Sequence, residues 1–248
     1  ASYTYEANQS LIDLTGASGT TNLGASDDGV SGAFNIGFTF DYYGQAFTQA
    51  RVATNGCLHF KTSGVYCNDY TPDPISGQHT YTMYPFWTDL IRDNDSKVLA
   101  KSFSDKTVFG WYGLREYNRS GSDNSFEVIL WTNDTFEFRY GGLNIINHDV
   151  LIGEVGNGVS QAYQYLFHDK CGTGTTNASN CVSANWNATS YNTSLENGGS
   201  LYGLGAGNSI DCSNALNDPS CSGYASAYLT QQCDITQLHS ETCPRYWE

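Results

Sequence analysis

Between residues 33 and 167 the sequence consists of short apolar runs separated by turn residues. Lys97–Phe103 and Thr107–Arg115, for example, flank a Ser-Asp-Lys turn. Within Phe136–Tyr140 the aromatic residues alternate with Glu and Arg, as expected for a strand with one buried face. No window of comparable length has a 3.6-residue apolar period. The pattern therefore predicts an all-β fold, an antiparallel β-sandwich.

The stretch from Asn35 to Phe60 carries the densest strand and turn signals. It contains two apolar segments, Ile36–Phe40 and Val52–Phe60, and a Tyr-Tyr-Gly turn follows the first. Asn55-Gly56, inside the second segment, is the dipeptide favoured by a type I′ hairpin turn, because both central residues of that turn need positive φ. We therefore expect a type I′ turn at Asn55-Gly56.

The order of these motifs resembles that of the nidogen-like (NIDO) extracellular domain over residues 33–167. The matching motifs are Ile36–Phe40, the Tyr-Tyr-Gly turn, Thr54–Phe60, Tyr84–Leu90, Thr107–Trp111, Phe126–Leu130, Phe136–Gly141 and Ile152-Gly153. The resemblance implies a β-sandwich. It also implies a matrix or adhesion role without a shared catalytic activity.

Eight cysteines fall into four neighbouring pairs whose members are nine or ten positions apart. Zinc sites prefer gaps of two to four residues between paired ligands, so disulfides explain the spacing better, although eight cysteines also allow other connectivities. Disulfides indicate an oxidising, extracellular compartment. The predicted bridges are Cys57–Cys67, Cys171–Cys181, Cys212–Cys221 and Cys233–Cys243.

Composition divides the chain into four predicted parts: an N-terminal arm or edge strand (1–32), the NIDO-like sandwich (33–167), a Gly/Ser/Thr/Asn-rich connector with one disulfide loop (168–210) and a Cys-rich tail (211–248). The tail repeats a Cys-pair unit and resembles the Cys-rich repeat that follows NIDO-like domains in large secreted proteins. We expect it to be loop-rich and held by its disulfides. The arm either packs on its own domain or pairs with the sheet edge of a neighbouring chain.

The formal net charge of −14 argues against binding to nucleic acid or to anionic membrane surfaces. No apolar run is long enough to insert into a bilayer. The start at Ala1-Ser2 is compatible with cleavage of a leader peptide. The Asn-x-Ser/Thr triplets, as expected in a secreted glycoprotein, begin at Asn8, Asn94, Asn118, Asn133, Asn177, Asn187 and Asn192.

The sequence contains no recognisable catalytic motif. His59 is expected to face solvent from a strand. The acidic run with Asp89, Asp93 and Asp95 is either a solvated turn or a weak Ca²⁺ candidate, since it lacks the Gly and terminal Glu of an EF-hand loop. No other metal and no organic cofactor is required. Three strand glutamates offer a glycosidase pair only if they share a cleft, and outward-facing charges explain them more simply: Glu116, Glu127 and Glu137.

The chain is rich in aromatic residues, with 18 Tyr and 5 Trp. Four tyrosines near turns are candidates for presenting flat rings to a sugar or a protein partner: Tyr42, Tyr43, Tyr112 and Tyr117. We therefore predict a non-enzymatic extracellular structural or adhesive module that self-associates, as a filament or matrix subunit does. Its partners would be other copies or extracellular matrix and surface proteins. The alternative is a carbohydrate-binding module.

Overall fold

The computed structural model describes residues 3–6, 10–24, 26–61, 63–64, 66–67, 69–73, 75, 79–145, 147–168 and 200–204. These residues form two antiparallel sheets packed as a sandwich, so the predicted fold class is confirmed. The first sheet contains β1 (Tyr3–Glu6), β2 (Thr21–Asn22), β7 (Leu90–Ile91), β8 (Lys97–Ser102), β9 (Lys106–Glu116), β10 (Asn124–Trp131), β11 (Thr135–Tyr140) and β14 (Ser200–Leu204). The second contains β3 (Phe34–Tyr42), β4 (Gln45–Ala53), β5 (Cys57–His59), β6 (Thr82–Trp87), β12 (Val150–Val155) and β13 (Ala162–His168).

The strand order of the first sheet is β1-β14-β11-β10-β9-β8-β2, with β7 paired to β9, and that of the second is β13-β12-β6-β5-β4-β3. Between the sheets lies an aromatic core. Trp111 stacks on Phe126 at 4.9 Å between ring centroids, and its indole N–H donates to the Ala53 carbonyl of the facing sheet at 2.9 Å. The alternation in β11 is as predicted, because Phe136, Phe138 and Tyr140 are buried in this core.

The turn predictions need one correction. The type I′ turn lies at Tyr43-Gly44, where the two-residue loop between Tyr42 and Gln45 has φ values of 51° and 72°. Asn55 does not adopt positive φ, so the expected type I′ turn at Asn55-Gly56 is wrong. That turn is a three-residue loop in which the Gly56 N–H donates to the Ala53 carbonyl at 3.1 Å and only Gly56 has positive φ. In a three-residue loop of this kind the residue before the glycine does not need positive φ, so Asn55 fits there.

The N-terminal segment belongs to the first sheet. Strand β1 pairs with β14 at the edge of the sheet, and β2 pairs with β8 at the opposite edge. Between them, a short 3₁₀ turn at Leu14–Gly16 places Leu14 in a small apolar cluster with Leu99 and Ile129 on the outer face of this sheet. The segment therefore packs on its own domain.

The connector predicted for residues 168–210 is not loop throughout. Ser200–Leu204 form β14, which pairs with both β11 and β1, and His168 ends β13. The sequence does not predict this strand, because a five-residue strand in a Gly- and Ser-rich stretch has too few apolar residues to show a period. Among the described residues, no helix has the length and apolar character needed to cross a membrane.

Candidate functional site

Two of the sequence motifs meet at Asn55, in the turn between β4 and β5. Its side-chain oxygen accepts from the Leu90 backbone N–H at 2.9 Å. Its amide nitrogen donates to an Asp28 carboxylate oxygen at 2.8 Å and to the Asp69 carbonyl at 3.1 Å. One buried amide therefore joins the Thr-Asn-Gly turn to the Pro-Phe-Trp-Thr-Asp-Leu segment and to two further loops.

Beside this amide lies a cluster of ionisable side chains, which we call the Asp89–His148–Glu116 cluster; Asp89 and Glu116 are buried, and His148 is partly buried. The His148 ring places Nε2 3.3 Å from an Asp89 oxygen and Nδ1 2.9 Å from a Glu116 oxygen. Glu116 is wholly buried, and its second oxygen accepts from Arg119 at 2.8 Å. Each ring nitrogen therefore faces a carboxylate oxygen, and His148 bridges the two acidic side chains.

The same cluster fixes the connection that crosses from β11 in one sheet to β12 in the other. The Arg119 guanidinium donates to both the carbonyl and the side-chain oxygen of Asn144, at 2.8 and 2.6 Å. Ser122 and Asn124 bond the same residue, and the Asn147 N–H donates to Glu116. The geometry therefore holds this loop in place.

Burial raises the pKa of Asp89 from 3.8 to about 6, an effect that His148 opposes and that the nearby carboxylates of Asp28, Asp27 and Glu116 reinforce. The folded state therefore binds this proton more tightly than the unfolded chain does. The resulting stabilisation is complete below pH 3.8 and is lost as the pH rises through about 6.

We expect Asp89→Asn to gain stability relative to the unchanged protein as the pH rises from 4 to 7, by about 1–2 kcal/mol after solvent screening. Thermal unfolding of both proteins across this range measures the difference. A stability difference between the two proteins that does not change with pH would contradict the raised pKa of Asp89.

A second buried cluster contains Cys57, His59 and Cys67, whose ligand atoms lie within 4.8 Å of one another. The two cysteines form a disulfide, as predicted, and so offer no thiolate to a metal. His59 Nε2 accepts from the Cys67 N–H at 3.1 Å, and Nδ1 lies 2.8 Å from the Thr82 hydroxyl. Both ring nitrogens are therefore committed to holding the disulfide loop on β6.

The expectation that His59 faces solvent is wrong, since the side chain is 1% exposed. Burial, together with the nearby His79, lowers the pKa of His59 to about 3, so the ring is neutral at physiological pH. Strand alternation failed here because the loop that Cys67 closes covers the face on which His59 lies.

We expect replacement of Cys57 and Cys67 by alanine to destabilise the protein by about 2–4 kcal/mol. Without the bridge, the ten-position loop between the two cysteines gains conformational entropy in the unfolded chain. In the folded protein, the Cys67 N–H that bonds His59 is no longer held in place by the disulfide. Chemical denaturation of the double variant measures the loss. No reducing agent is used, so any other disulfides stay intact. A denaturation midpoint equal to that of the unchanged protein would contradict a stabilising role for the Cys57–Cys67 disulfide.

The strand glutamates are buried, not exposed to solvent as expected of outward-facing charges. Glu127 is buried on the outer face of the first sheet, where it accepts from the N–H groups of Ile12 and Asp13 at 2.9 and 2.8 Å and from the Tyr112 hydroxyl at 2.7 Å. Burial raises its pKa, and these donors oppose the rise. Glu137 is 3% exposed and pairs with Arg139 at 2.7 Å. The N-terminal segment covers this face: Glu127 binds its backbone directly, and Arg139, which pairs with Glu137, donates to the Ser10 carbonyl at 3.0 Å.

The acidic residues proposed for Ca²⁺ do not converge. Asp89 turns inward to His148, whereas Asp93 and Asp95 are exposed in the turn before β8. Asp93 lies 3.6 Å from Arg115 and accepts from the Ser96 hydroxyl at 3.0 Å. Among the described residues these three carboxylates do not form a group with metal-ligand spacing.

The four candidate tyrosines also separate. Tyr42 is wholly buried and Tyr112 is 6% exposed, so the expectation that they present flat rings is wrong. The Tyr42 and Tyr43 hydroxyls both donate to buried Glu154, at 3.2 Å each. Tyr117 is 36% exposed. The set therefore does not form a shared aromatic platform.

The remaining predicted residues are placed as follows. Asn94, Asn118 and Asn133 are exposed in turns between strands, as a glycosylated asparagine must be. The other candidate asparagines and cysteines lie outside the described residues: Asn8, Asn177, Asn187, Asn192, Cys171, Cys181, Cys212, Cys221, Cys233 and Cys243.

Sequence reasoning missed His148, Arg119, Asn144 and Glu154 as members of buried polar clusters. His148 and Asn144 lie in a Gly-Gly-Leu-Asn loop with no motif spacing. Asp89, inside the Tyr84–Leu90 motif, is a member of these clusters that the sequence singles out. Its place in an acidic run predicts an exposed turn, not a buried cluster.

Comparison with known proteins agrees with this architecture. A family model described as NIDO related matches residues 2–195 and so includes the N-terminal strands as well as the sandwich. No curated protein matched the chain. No solved structure matched it either. The family match spans most of the sequence, and the chain therefore belongs to the NIDO-related family.

Proposed function

We propose that this chain is a structural or adhesive extracellular module without enzymatic activity, and that it associates with copies of itself. NIDO-related domains are extracellular modules, and the Cys57–Cys67 disulfide suits an oxidising compartment. Its partners are other copies or matrix and surface proteins. The observation that supports self-association is the edge of the first sheet at which β1 is the outermost strand.

That sheet is completed by two strands from distant parts of the chain. Strand β14 begins at Ser200, sixty positions after β11 ends at Tyr140, and among the described residues β1 pairs only with β14, through four residue pairs. Among the described residues no strand lies beyond β1. An edge strand presents unpaired backbone groups, which are a template for adding a strand from another molecule.

The buried ionisable groups support the non-enzymatic part of the proposal. In the described chain Glu116 and Glu127 each bond the backbone of a segment distant in sequence, and His59 bonds the backbone of Cys67 in the neighbouring loop. Catalytic acids and bases instead face a cleft where substrate binds. These groups therefore act as cross-links between segments.

Negative-stain electron microscopy of the native, non-reduced protein tests the proposal. We expect ordered assemblies for the unchanged protein and their loss after deletion of residues 1–7, which removes β1 but leaves Ile12, Asp13 and Leu14 in place. The Asp105→Ala variant, changed at an exposed turn, is the control. Single particles at every concentration would refute self-association, and assemblies unaffected by the deletion would refute the role of β1.

A further inference from the structure

A groove of about 520 Å³ runs along β4 on the side away from β3. Its first wall is the consecutive stretch Ala46–Gln49 of β4, and its second wall contains Phe60, Lys61, Ser63 and Gly64, where the chain leaves β5. Four consecutive strand residues on one wall place the groove along the edge of the strand. Its volume is within the range of natural ligand sites.

The groove exists because β5 is short. Strand β5 ends at His59 and pairs with only Arg51, Val52 and Ala53 of β4. From Gln45 to Ala50, β4 has β3 as its strand partner on one side, and in the described chain no strand pairs with its other side. A gap of this length beside a strand accepts an extended segment.

Aromatic rings and one cation line the gap. Phe47 stacks on Phe60 at 5.1 Å between centroids and packs against Tyr81 at 5.3 Å. Lys61 lies 5.4 Å from the Tyr81 ring centroid, and within the described residues it makes no ion pair. In a chain with 25 acidic and only 11 basic Lys and Arg residues, an unpaired lysine beside an aromatic groove favours a segment that is both aromatic and acidic.

We infer that this groove binds the N-terminal strand of a second copy of the chain, which adds to the sheet beside β4. The inference rests on the proposed self-association and names its two surfaces. The occupant, Tyr3-Thr4-Tyr5-Glu6, combines two tyrosines with one carboxylate and so has the aromatic and acidic composition that the groove favours. Donor and acceptor surfaces differ, so repeated addition is head-to-tail and produces a filament if the ring does not close.

The donor strand is suited to exchange. Within its own chain it already has the extended conformation, and it is held through four residue pairs at the edge of the first sheet. Little pairing is therefore lost when it leaves β14, and the strand conformation need not be formed anew on binding.

Charge reversal tests the pairing. Light scattering of the full chain over a concentration series measures self-association for Glu6→Lys, Lys61→Glu and the double variant. We expect each single change to weaken association at least tenfold and the double change to restore it. Lys97→Glu, which makes the same charge change on an exposed strand position outside the groove, should leave association unchanged. A labelled peptide of residues 1–10 should bind the unchanged protein and not Lys61→Glu.

The outcomes distinguish failure of the groove as the acceptor site from failure of the proposed self-association. If the chain associates but Lys61→Glu behaves like Lys97→Glu, the groove is not the acceptor, whereas self-association stands. If both single variants are impaired and the double variant is not restored, the two charges do not meet and the inference is overturned. A chain that stays monomeric and does not bind the peptide contradicts both proposals.

Discussion

Replacing Gly56 with alanine is expected to lower the free energy of unfolding by about 3–5 kcal/mol. Gly56 has φ of 90°, a conformation that an alanine rarely adopts. A Cβ added there would lie 2.0 Å from the Phe86 carbonyl oxygen and 2.8 Å from its carbon. These are backbone atoms of β6, so the clash cannot be relieved by turning a side chain. The sheet itself would have to shift.

Gly121→Ala is the matched control for this change. Gly121 also has positive φ, at 75°, but a Cβ there meets no atom within 4 Å. We therefore expect a loss of only about 1 kcal/mol from the backbone conformation alone. Urea denaturation of the two variants separates the conformational cost from the clash. Equal losses would show that the approach of Gly56 to Phe86 has no energetic weight.

Replacing Glu116 with alanine is expected to have the second large effect, a loss of about 3–5 kcal/mol. The carboxylate is wholly buried and accepts hydrogen bonds from Arg119, His148 and the Asn147 N–H. Its removal leaves the Arg119 guanidinium and the donors of His148 and Asn147 without their acceptor in a buried site. It also releases the loop between β11 and β12, so the loss should appear in both sheets.

Asp105→Ala is the control for removal of a carboxylate. Asp105 pairs with Lys106 at 3.1 Å, but its side chain is 58% exposed. Exposed ion pairs contribute at most about 1 kcal/mol, so this variant should unfold almost as the unchanged protein does. Denaturation curves for both variants at pH 7 provide the comparison. If Glu116→Ala loses no more stability than Asp105→Ala, the cluster does not hold the loop.

The sandwich was predictable because strand alternation reports directly on burial of apolar side chains. In β11 every second residue is aromatic, and those three rings are the ones in the core. The Cys57–Cys67 bridge was predictable from spacing for a similar reason, since a short hairpin brings its two ends together. The match of the family model to residues 2–195 agrees with the order of motifs from Ile36 to Gly153.

Alternation does not predict which charged residues are buried. Glu127 lies on the outer face of its sheet, as expected for a polar strand residue, but the N-terminal segment covers that face and buries it. Glu116 and His148 come together only because the connection between the sheets returns past the end of β9. Such contacts depend on tertiary placement of loops, for which Gly-Gly-Leu-Asn contains no periodic signal.

The turn residues show the same limit. Asn-Gly dipeptides favour type I′ turns, yet at Asn55 the side chain is needed to bond Leu90, Asp28 and Asp69, and the backbone adopts a three-residue loop. The type I′ turn instead uses Tyr43, whose hydroxyl bonds buried Glu154 and whose ring packs on Tyr42 at 4.8 Å. Side-chain contacts of the folded domain therefore outweigh the local turn preference at both sites.

Sedimentation velocity of the native, non-reduced chain is the most direct test of self-association. For an unglycosylated chain of 27.1 kDa, we expect species heavier than a monomer whose proportion rises with concentration, and their loss when residues 1–7 are deleted. A single species of monomer mass at every concentration would contradict it.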